Sequence, residues 1–417
     1  MNAPASSIPF DLAIAGGGLV GASLALALAP LGLKIALVEG VAPGSGEQHP
    51  SFDERTTALA NGTVRVFRSL GVWRHMEREA TPIKRIHVSE QGRFGTARID
   101  AAEQGLEALG YVLPNRVIGA GLWEGLRACP GVELIAPARA TGSALAGDVR
   151  VLSFERDGAG QGIAARLVVA ADGAKSLVRE QAGVESDHWA YGQTAIIATV
   201  TTQRFHDHVA YERFTPEGPI AVLPLAEGRC GIVWTRRPDE AARLLALPDA
   251  GFLAEFQRAF GFRLGRVLRV GTRYSYELGL ARTASHVAER LAVVGNAAQA
   301  MHPIAGQGFN LGLRDAACLA EVIADACVAG QTDPGAQDTL AAYAQWREVD
   351  QRRIVAFTDG LVRLFGSPLG LARGLRSAGL LAFDAFPPAK SAMARLSVGA
   401  AGRVPRLARG VPLTGAH

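Results

Sequence analysis

The sequence predicts an α/β fold: a parallel sheet flanked by helices, interrupted twice by one antiparallel sheet, with a helical C-terminal region. Three stretches carry that prediction. Phe10–Ala15 is an apolar run that enters Gly16-Gly17-Gly18-Leu19-Val20-Gly21 and then an apolar helix. Arg166–Ala171 is a second apolar run, ending at Asp172-Gly173. Leu291–Val294 is a third, and it runs into Gly295-Asn296-Ala297-Ala298, a turn of small residues. Uninterrupted apolar runs of this kind suit strands buried on both faces.

Along the chain, Phe10–Ala15 reads as a strand, Gly16–Gly21 as a turn, Val20–Leu31 as a helix and Lys34–Val38 as the next strand, ending at Glu39. That is one βαβ unit. Leu12–Leu33 carries no charge and mimics a signal sequence or a membrane span, but no basic residue precedes it, and Gly16–Gly18 and Pro30 suit neither. Val41–Ser51 is a polar loop. Arg55–Leu70 and Val117–Ala128 have helical periodicity. From Ala80 to Ile99, and again from about Ala190 to Tyr276, the pattern changes. Ala195–Thr201, His208–Phe214, Ile220–Pro224 and Gly231–Thr235 are short β-branched runs between Gly/Pro turns, as in an antiparallel sheet. Pro303, Gly306 and Gly308 then keep a loop open, and a periodic helix begins near Asn310. The expected division is a nucleotide-binding domain in three parts (1–82, 105–183 and 286–358), a sheet domain in two (83–104 and 184–285), and a basic helical region (359–417).

Composition bounds the function. With 417 residues, 48% hydrophobic and 20% charged, the chain is globular and long enough for two or three domains. The net charge of +4 is modest, but after Asp359 come Arg363, Arg373, Arg376, Lys390, Arg395, Arg403, Arg406 and Arg409 against Asp384. Leu361–Phe386 alternates apolar and basic residues. It reads either as helices packed on the core or as an amphipathic surface for membrane lipid or partner enzymes. Cys129, Cys230, Cys318 and Cys327 show no C-x-x-C spacing, which points to a reducing cytoplasm rather than to disulfides or zinc. His206-x-His208 lacks a third ligand and reads as a solvated strand edge.

Two places deliver bare backbone N–H groups to a helix start, and such places favour negative charge. Gly16-x-Gly18-x-x-Gly21 is one. Its glycines allow a tight turn, close approach to a pyrophosphate and close helix packing, and Glu39 can accept both ribose hydroxyls of an adenosine. The loop before Asn310 is the other, so one extended dinucleotide held at two points is expected. Gly119-x-Gly121-x-x-x-Gly125 reads instead as helix packing, because Val112–Arg116, with Pro114, is a poor strand and Asn115 would cap a helix. No dedicated nicotinamide domain is evident.

The joint pattern resembles a known family. Gly16–Gly21, Asp53-x-Arg55, Ala171-Asp172-Gly173-Ala174-x-Ser176-x-Val178-Arg179 and Gly295–Gly312 are similar, in order and spacing, to the flavin-dependent aromatic hydroxylases (group A monooxygenases). Within that family, His302–Asp315 and Asp53–Trp73 resemble the ubiquinone-biosynthesis branch, above all the bacterial 2-polyprenyl-6-methoxyphenol hydroxylases. The likeness covers roughly residues 8–400. It implies a para-hydroxybenzoate-hydroxylase-type FAD domain interrupted by a sheet domain that takes the substrate. Gly16, Gly18, Gly21 and Glu39 would hold the ADP half of FAD, and Arg55 would contact the cofactor. Asp172 and Gly173 would lie near the pyrophosphate and a transient NAD(P)H. Gly306, Gly308, Phe309 and Asn310 would bring backbone groups to the flavin ring. Asn296 stands where the wider family has Asp, and the named branch shares its Gly-Asn-Ala-Ala-Gln; its carbonyl would accept from a ribitol hydroxyl. The implied reaction uses O2 and NAD(P)H to hydroxylate a polyprenylated phenol through a flavin C4a-hydroperoxide. No His or carboxylate stands out as the base. A sister ring hydroxylase, an isoprenoid reductase and a non-catalytic subunit of a ubiquinone-biosynthesis assembly stay open as other readings; nucleic acid is not an expected partner.

Overall fold

The computed structural model describes residues 10–41, 55–93, 95–300, 307–366, 393–395 and 398–414. The expected βαβ unit forms from β1 (Phe10–Ala15), α1 (Leu19–Leu28) and β2 (Ile35–Val38). β1 and β2 pair in parallel, Leu12 beside Ile35 and Ala15 beside Val38. Leu12 and Ile14 pack under α1, whereas Ala13 and Ala15 pack on the opposite face with Leu152, Phe154 and Val178. Burial on both faces accounts for the uninterrupted apolar run.

The helix expected over Arg55–Leu70 is instead β3 (Thr56–Ala60) followed by α2 (Asn61–Ser69). β4 (Thr81–Ile83), β5 (Arg85–Glu90), β6 (Thr96–Asp100), β7 (Gly110–Pro114) and α3 (Asn115–Arg127) come next. β3, β7 and β4 make a 3-stranded sheet that sequence periodicity did not announce. Pairing of Thr57 with Leu113 and of Leu59 with Tyr111 outweighs the helical pattern. β7 also corrects the poor-strand reading of Val112–Arg116: Pro114 ends the strand, where a missing N–H is tolerated. Asn115 does not cap α3; Pro114 holds that position, and Asn115 Oδ1 accepts from the Thr57 hydroxyl at 2.6 Å. The α3 glycines serve packing, as expected, since a Cβ on Gly125 would lie 2.6 Å from Val72 and one on Gly121 2.9 Å from Met76.

β8 (Val132–Ile135), β9 (Arg139–Ala146), β10 (Val149–Arg156), β11 (Ala159–Ala170) and α4 (Leu177–Gln181) follow. Then come β12 (Ser186–Thr202), β13 (Val209–Thr215), β14 (Gly218–Pro224), β15 (Arg229–Arg236), α5 (Pro238–Leu245), α6 (Asp249–Phe260), β16 (Val267–Val270) and β17 (Tyr274–Thr283). β18 (Val287–Ala288), β19 (Leu291–Val293), β20 (Gln299–Ala300), α7 (Gln307–Val328) and α8 (Gln337–Gly366) lead to a last helical turn, Arg406–Arg409.

The 8-stranded sheet has the order β18-β19-β11-β1-β2-β8, with β10 on β11 and β9 on β10. β1 pairs in parallel with β2 on one side and β11 on the other. The chain leaves β1 towards β2 and β8 and returns on the opposite side, so the strand order reverses beside β1. In open α/β sheets, ligands bind outside the carboxyl ends of the strands at such a point.

The 9-stranded sheet runs β20-β17-β12-β15-β14-β13-β5-β6, with β16 on β12. β5 and β6 thus join strands from much later in the chain. α5 and α6 cover one face, where Ile196, Val222, Ile232 and Trp234 pack with Phe252, Phe256 and Phe260. The other face turns to the 3-stranded sheet, with Ala210 against Ile83 and Val112.

Three further findings bear on the sequence reading. His206 is not a solvated strand edge: it is 1% exposed, and its Nε2 lies 2.9 Å from the Leu225 carbonyl oxygen. All four cysteines are free thiols, and burial pushes Cys318 up to about 12 and Cys230 up to about 11. Of the amphipathic stretch Leu361–Phe386, residues 367–386 lie outside the described residues. Beyond it, Arg403 and Arg406 ion-pair with Glu321 of α7, and Leu407 and Leu413 join the main core. Those two arginines dock the chain end on α7. Among the described residues no helix is long and apolar enough to cross a membrane.

Candidate active site

The ends of β1, β2, β11 and β19 share one edge of the parallel sheet. Gly16 N–H donates to the Val38 carbonyl (2.8 Å), Ala171 N–H to Ala15 (2.9 Å) and Val294 N–H to Ala170 (3.0 Å). Gly16–Gly21, Glu39, Asp172-Gly173 and Gly295-Asn296 therefore meet at the strand-order reversal. Gly16 takes φ +98°, and a Cβ on it would lie 2.5 Å from the Ala171 carbonyl oxygen. A Cβ on Gly21 would lie 1.9 Å from the Gly16 carbonyl oxygen. Gly18 is extended and caps α1. Glu39 is already tied into this turn: its carboxylate accepts Gly17 N–H at 2.6 Å and Val41 N–H at 3.0 Å.

The loop after β11 is ordered by its own side chains. Ser176 Oγ accepts the Arg179 N–H at 3.0 Å, capping α4, and Arg179 donates onward to the Ala297 carbonyl at 3.0 Å. Arg179 thus ties the Asp172 loop to the Gly295 turn. Burial pushes the Asp172 carboxyl up from its ordinary range, and its Oδ1 is buried with no partner among the described residues. Next to it Gly173 has φ +90° and open space within 4 Å of a Cβ. An unpaired buried oxygen beside an open glycine turn suits a ligand that brings its own donor. Asn296 is exposed in the turn Gly295–Ala297.

α7 begins at Gln307, earlier than the start expected near Asn310, so Gly308, Phe309 and Asn310 lie in its first turn. Their N–H groups are among those an α-helix leaves without intrahelical acceptors. Among the described residues, no atom lies within 4 Å of a Cβ on Gly308. The side chain of Asn310 is engaged on every side. Its Oδ1 accepts Ala60 N–H (2.8 Å) and the Thr63 hydroxyl (2.7 Å), and its Nδ2 donates to Ala58 (2.9 Å). Phe309 turns its ring to Phe67, 6.2 Å away. One turn on, a Cβ on Gly312 would meet Gly295 Cα at 3.0 Å and Val20 at 3.1 Å. The α7 start is thereby fixed against both β3 and the β19 turn. Gly306 lies outside the described residues.

Asp315, which sequence reasoning passed over, anchors that arrangement. It is 0% exposed; its Oδ2 accepts Gly295 N–H at 3.0 Å and its Oδ1 accepts Arg347 Nε at 2.7 Å. Arg347 also donates to Asp350 (2.8 Å), which accepts from Arg314 (2.7 Å). The motif at Leu313–Asp315 showed a conspicuous acid, but its partner lies on α8, beyond the reach of spacing arguments. Arg55 sits apart from the sheet edge, its guanidinium 4.8 Å from the centre of the Tyr276 ring on β17. It bridges β3 to the antiparallel sheet. Among the described residues no group of three His, Cys, Asp or Glu is arranged to hold a metal ion.

Residues 10–358 match the family described as FAD binding domain. The chain is a member of the FAD-dependent monooxygenase family. Within it, the chain is 42% identical to ubiquinone hydroxylase UbiL of Rhodospirillum rubrum, over 97% of this chain and 93% of the relative. It is 32% identical to 3-demethoxyubiquinol 3-hydroxylase of Escherichia coli, over 90% of this chain and 95% of that one. Among solved structures, p-nitrophenol 4-monooxygenase PnpA of Pseudomonas putida has the same fold, with a TM-score of 0.78 over 94% of this chain and 98% of that chain, at 19% identity. The tight Gly16–Gly21 turn, the unpaired Asp172 oxygen beside Gly173 and the free space at Gly308 fit the FAD of this family.

Proposed function

We propose that this flavoenzyme hydroxylates the ring of a polyprenylated phenol in ubiquinone biosynthesis, converting a 2-polyprenyl-6-methoxyphenol to the 1,4-benzoquinol, with NAD(P)H as electron donor. The observation that carries it is the meeting of two anion-favouring helix starts, α1 and α7, with the Asp172 loop around the end of β1. Relatives named for ubiquinone hydroxylation support the substrate class. The relative named 3-demethoxyubiquinol 3-hydroxylase keeps a second reading in view, the same chemistry at another ring position.

On this reading the Gly16–Gly21 turn and the N-terminus of α1 take the pyrophosphate, and Glu39 accepts the adenosine ribose hydroxyls. Asp172 Oδ1 accepts from the cofactor, and Asn296 takes a ribitol hydroxyl. FAD held there would supply the redox chemistry, hydride uptake and O2 activation towards an electron-rich ring. The protein stabilises the negative charge that reduction puts on the flavin, through the first-turn N–H groups at Gly308–Asn310 and the positive end of α7. Asn310 holds that turn still. Arg55 closes the gap between cofactor and sheet, where the phenol lies near Phe214–Leu225, shielded from water.

The test is to purify the protein, record its flavin spectrum and follow NAD(P)H oxidation with and without short-chain prenylphenols. A bound flavin and phenol-stimulated oxidation are expected. A protein that neither retains nor takes up FAD would contradict the reading at its base.

A further inference from the structure

Glu212 lies on β13, and its neighbours decide which way it faces. Tyr211 and Arg213 turn to the helix side, Tyr211 against Phe260 and Arg213 donating to the Ala259 carbonyl. Alternation along a strand sends Ala210, Glu212 and Phe214 to the other face. Ala210 meets Ile83 and Val112 there, so this is the face turned to the FAD-binding half.

Strand register places Glu212 in a row across five strands: Val88 on β5, Glu212, Ala221 on β14, Val233 on β15 and Ile197 on β12. Every member of the row is partly exposed. The row is bounded by contacts with the FAD-binding half. On one side a Cβ on Gly231 would lie 3.1 Å from the Thr56 hydroxyl; on the other Arg55 stacks on Tyr276. The row is therefore an open apolar wall between two points of closure, and it holds one carboxyl. Burial alone pushes that carboxyl up to about 8, and no charge among the described residues offsets it. Arg213 on the same strand and His87 on β5 face the helix side, and Glu90 on β5, beside Phe214, is the next acid along this face. A carboxyl kept neutral can both donate and accept a hydrogen bond. A prenyl tail has no use for such a group, whereas a ring hydroxyl has.

We infer that Glu212 contacts the substrate, hydrogen-bonding the ring hydroxyl of the phenol against this apolar row and so selecting a hydroxylated ring. The inference rests on the phenol reading above. It is tested by titrating the flavin absorbance of the holoenzyme with a short-chain prenylphenol and with its O-methyl ether. Wild type should bind the phenol about 10- to 100-fold more tightly than the ether. Glu212→Leu, with normal flavin content, should bring that ratio close to one, and Glu212→Gln should keep most of it. If Glu212→Leu loses flavin, Glu212→Ala gives the same comparison. A Leu or Ala variant that discriminates as wild type does overturns the role of Glu212 and leaves the phenol reading standing. A flavin-loaded wild type that binds neither compound overturns both.

Discussion

Gly308 and Asn310 divide the work of one helical turn. Asn310 uses its whole amide to pin α7 to β3 and α2, while Gly308 has nothing but open space beside it. A side chain at 308 is therefore tolerated by the empty protein and excluded by a bound flavin. Gly308→Val should lose flavin while keeping the apoprotein's melting temperature; normal flavin content would refute the placement. Glu212 makes a different prediction, in pH. Removal from water pushes its carboxyl up to about 8 from an ordinary value of 4.5, so the folded state holds the proton more tightly. Stability is then full below the lower value and declines as pH rises towards the upper one. Glu212→Gln removes that slope, so the variant's melting temperature should gain on wild type between about pH 5 and pH 8. Parallel curves would contradict a carboxyl that the fold holds protonated. Residues whose role lies in the backbone, such as Gly16, Gly21 and Gly125, were legible in the sequence because only glycine fits. Glu212 and Asp315 were not, since their meaning depends on strand register and on a distant helix.

At the scale of elements, α7 carries the site, and its own support is ionic. Asp315 joins the Gly295 turn to Arg347, and Arg347 reaches Asp350 and thereby Arg314. Arg314 extends the network to the carbonyls of Gly399, Ala401 and Arg403. Removing one member of a buried pair leaves the other charge without its partner, at about 3–5 kcal/mol. Asp315→Ala should lower the urea midpoint accordingly and weaken flavin retention, because the Gly295 N–H loses its acceptor. An unchanged midpoint would show that the network does not hold the turn. The start of α7 was misplaced by a few residues from sequence, since Gly308 weakens the helical signal where packing sustains the helix. β3 was hidden for a related reason: its pairing partner β7 lies far along the chain, and Arg55–Leu70 taken alone has a helical period.

Across the whole molecule, the chain passes between two large sheets more than once, and the sequence shows this as changes of period. The 8-stranded sheet announces itself through unbroken apolar runs, the 9-stranded one through short β-branched runs between glycines and prolines. The 3-stranded sheet between them has strands too short to leave such a mark, yet it sets the cleft: Ile83 and Val112 meet the wall, and Thr56 and Arg55 touch its two sides. The cofactor end of the site follows from βα geometry and was readable early. The proposed substrate end depends on sheet register and emerges only from the fold. We propose that this architecture places an oxygen atom on a polyprenylated ring, and isotopically labelled O2 decides it. With FAD, NAD(P)H and a short-chain 2-prenyl-6-methoxyphenol, the product should carry one labelled oxygen on the ring. NAD(P)H consumed with bound flavin and substrate present, but with no label in any ring product, would contradict it.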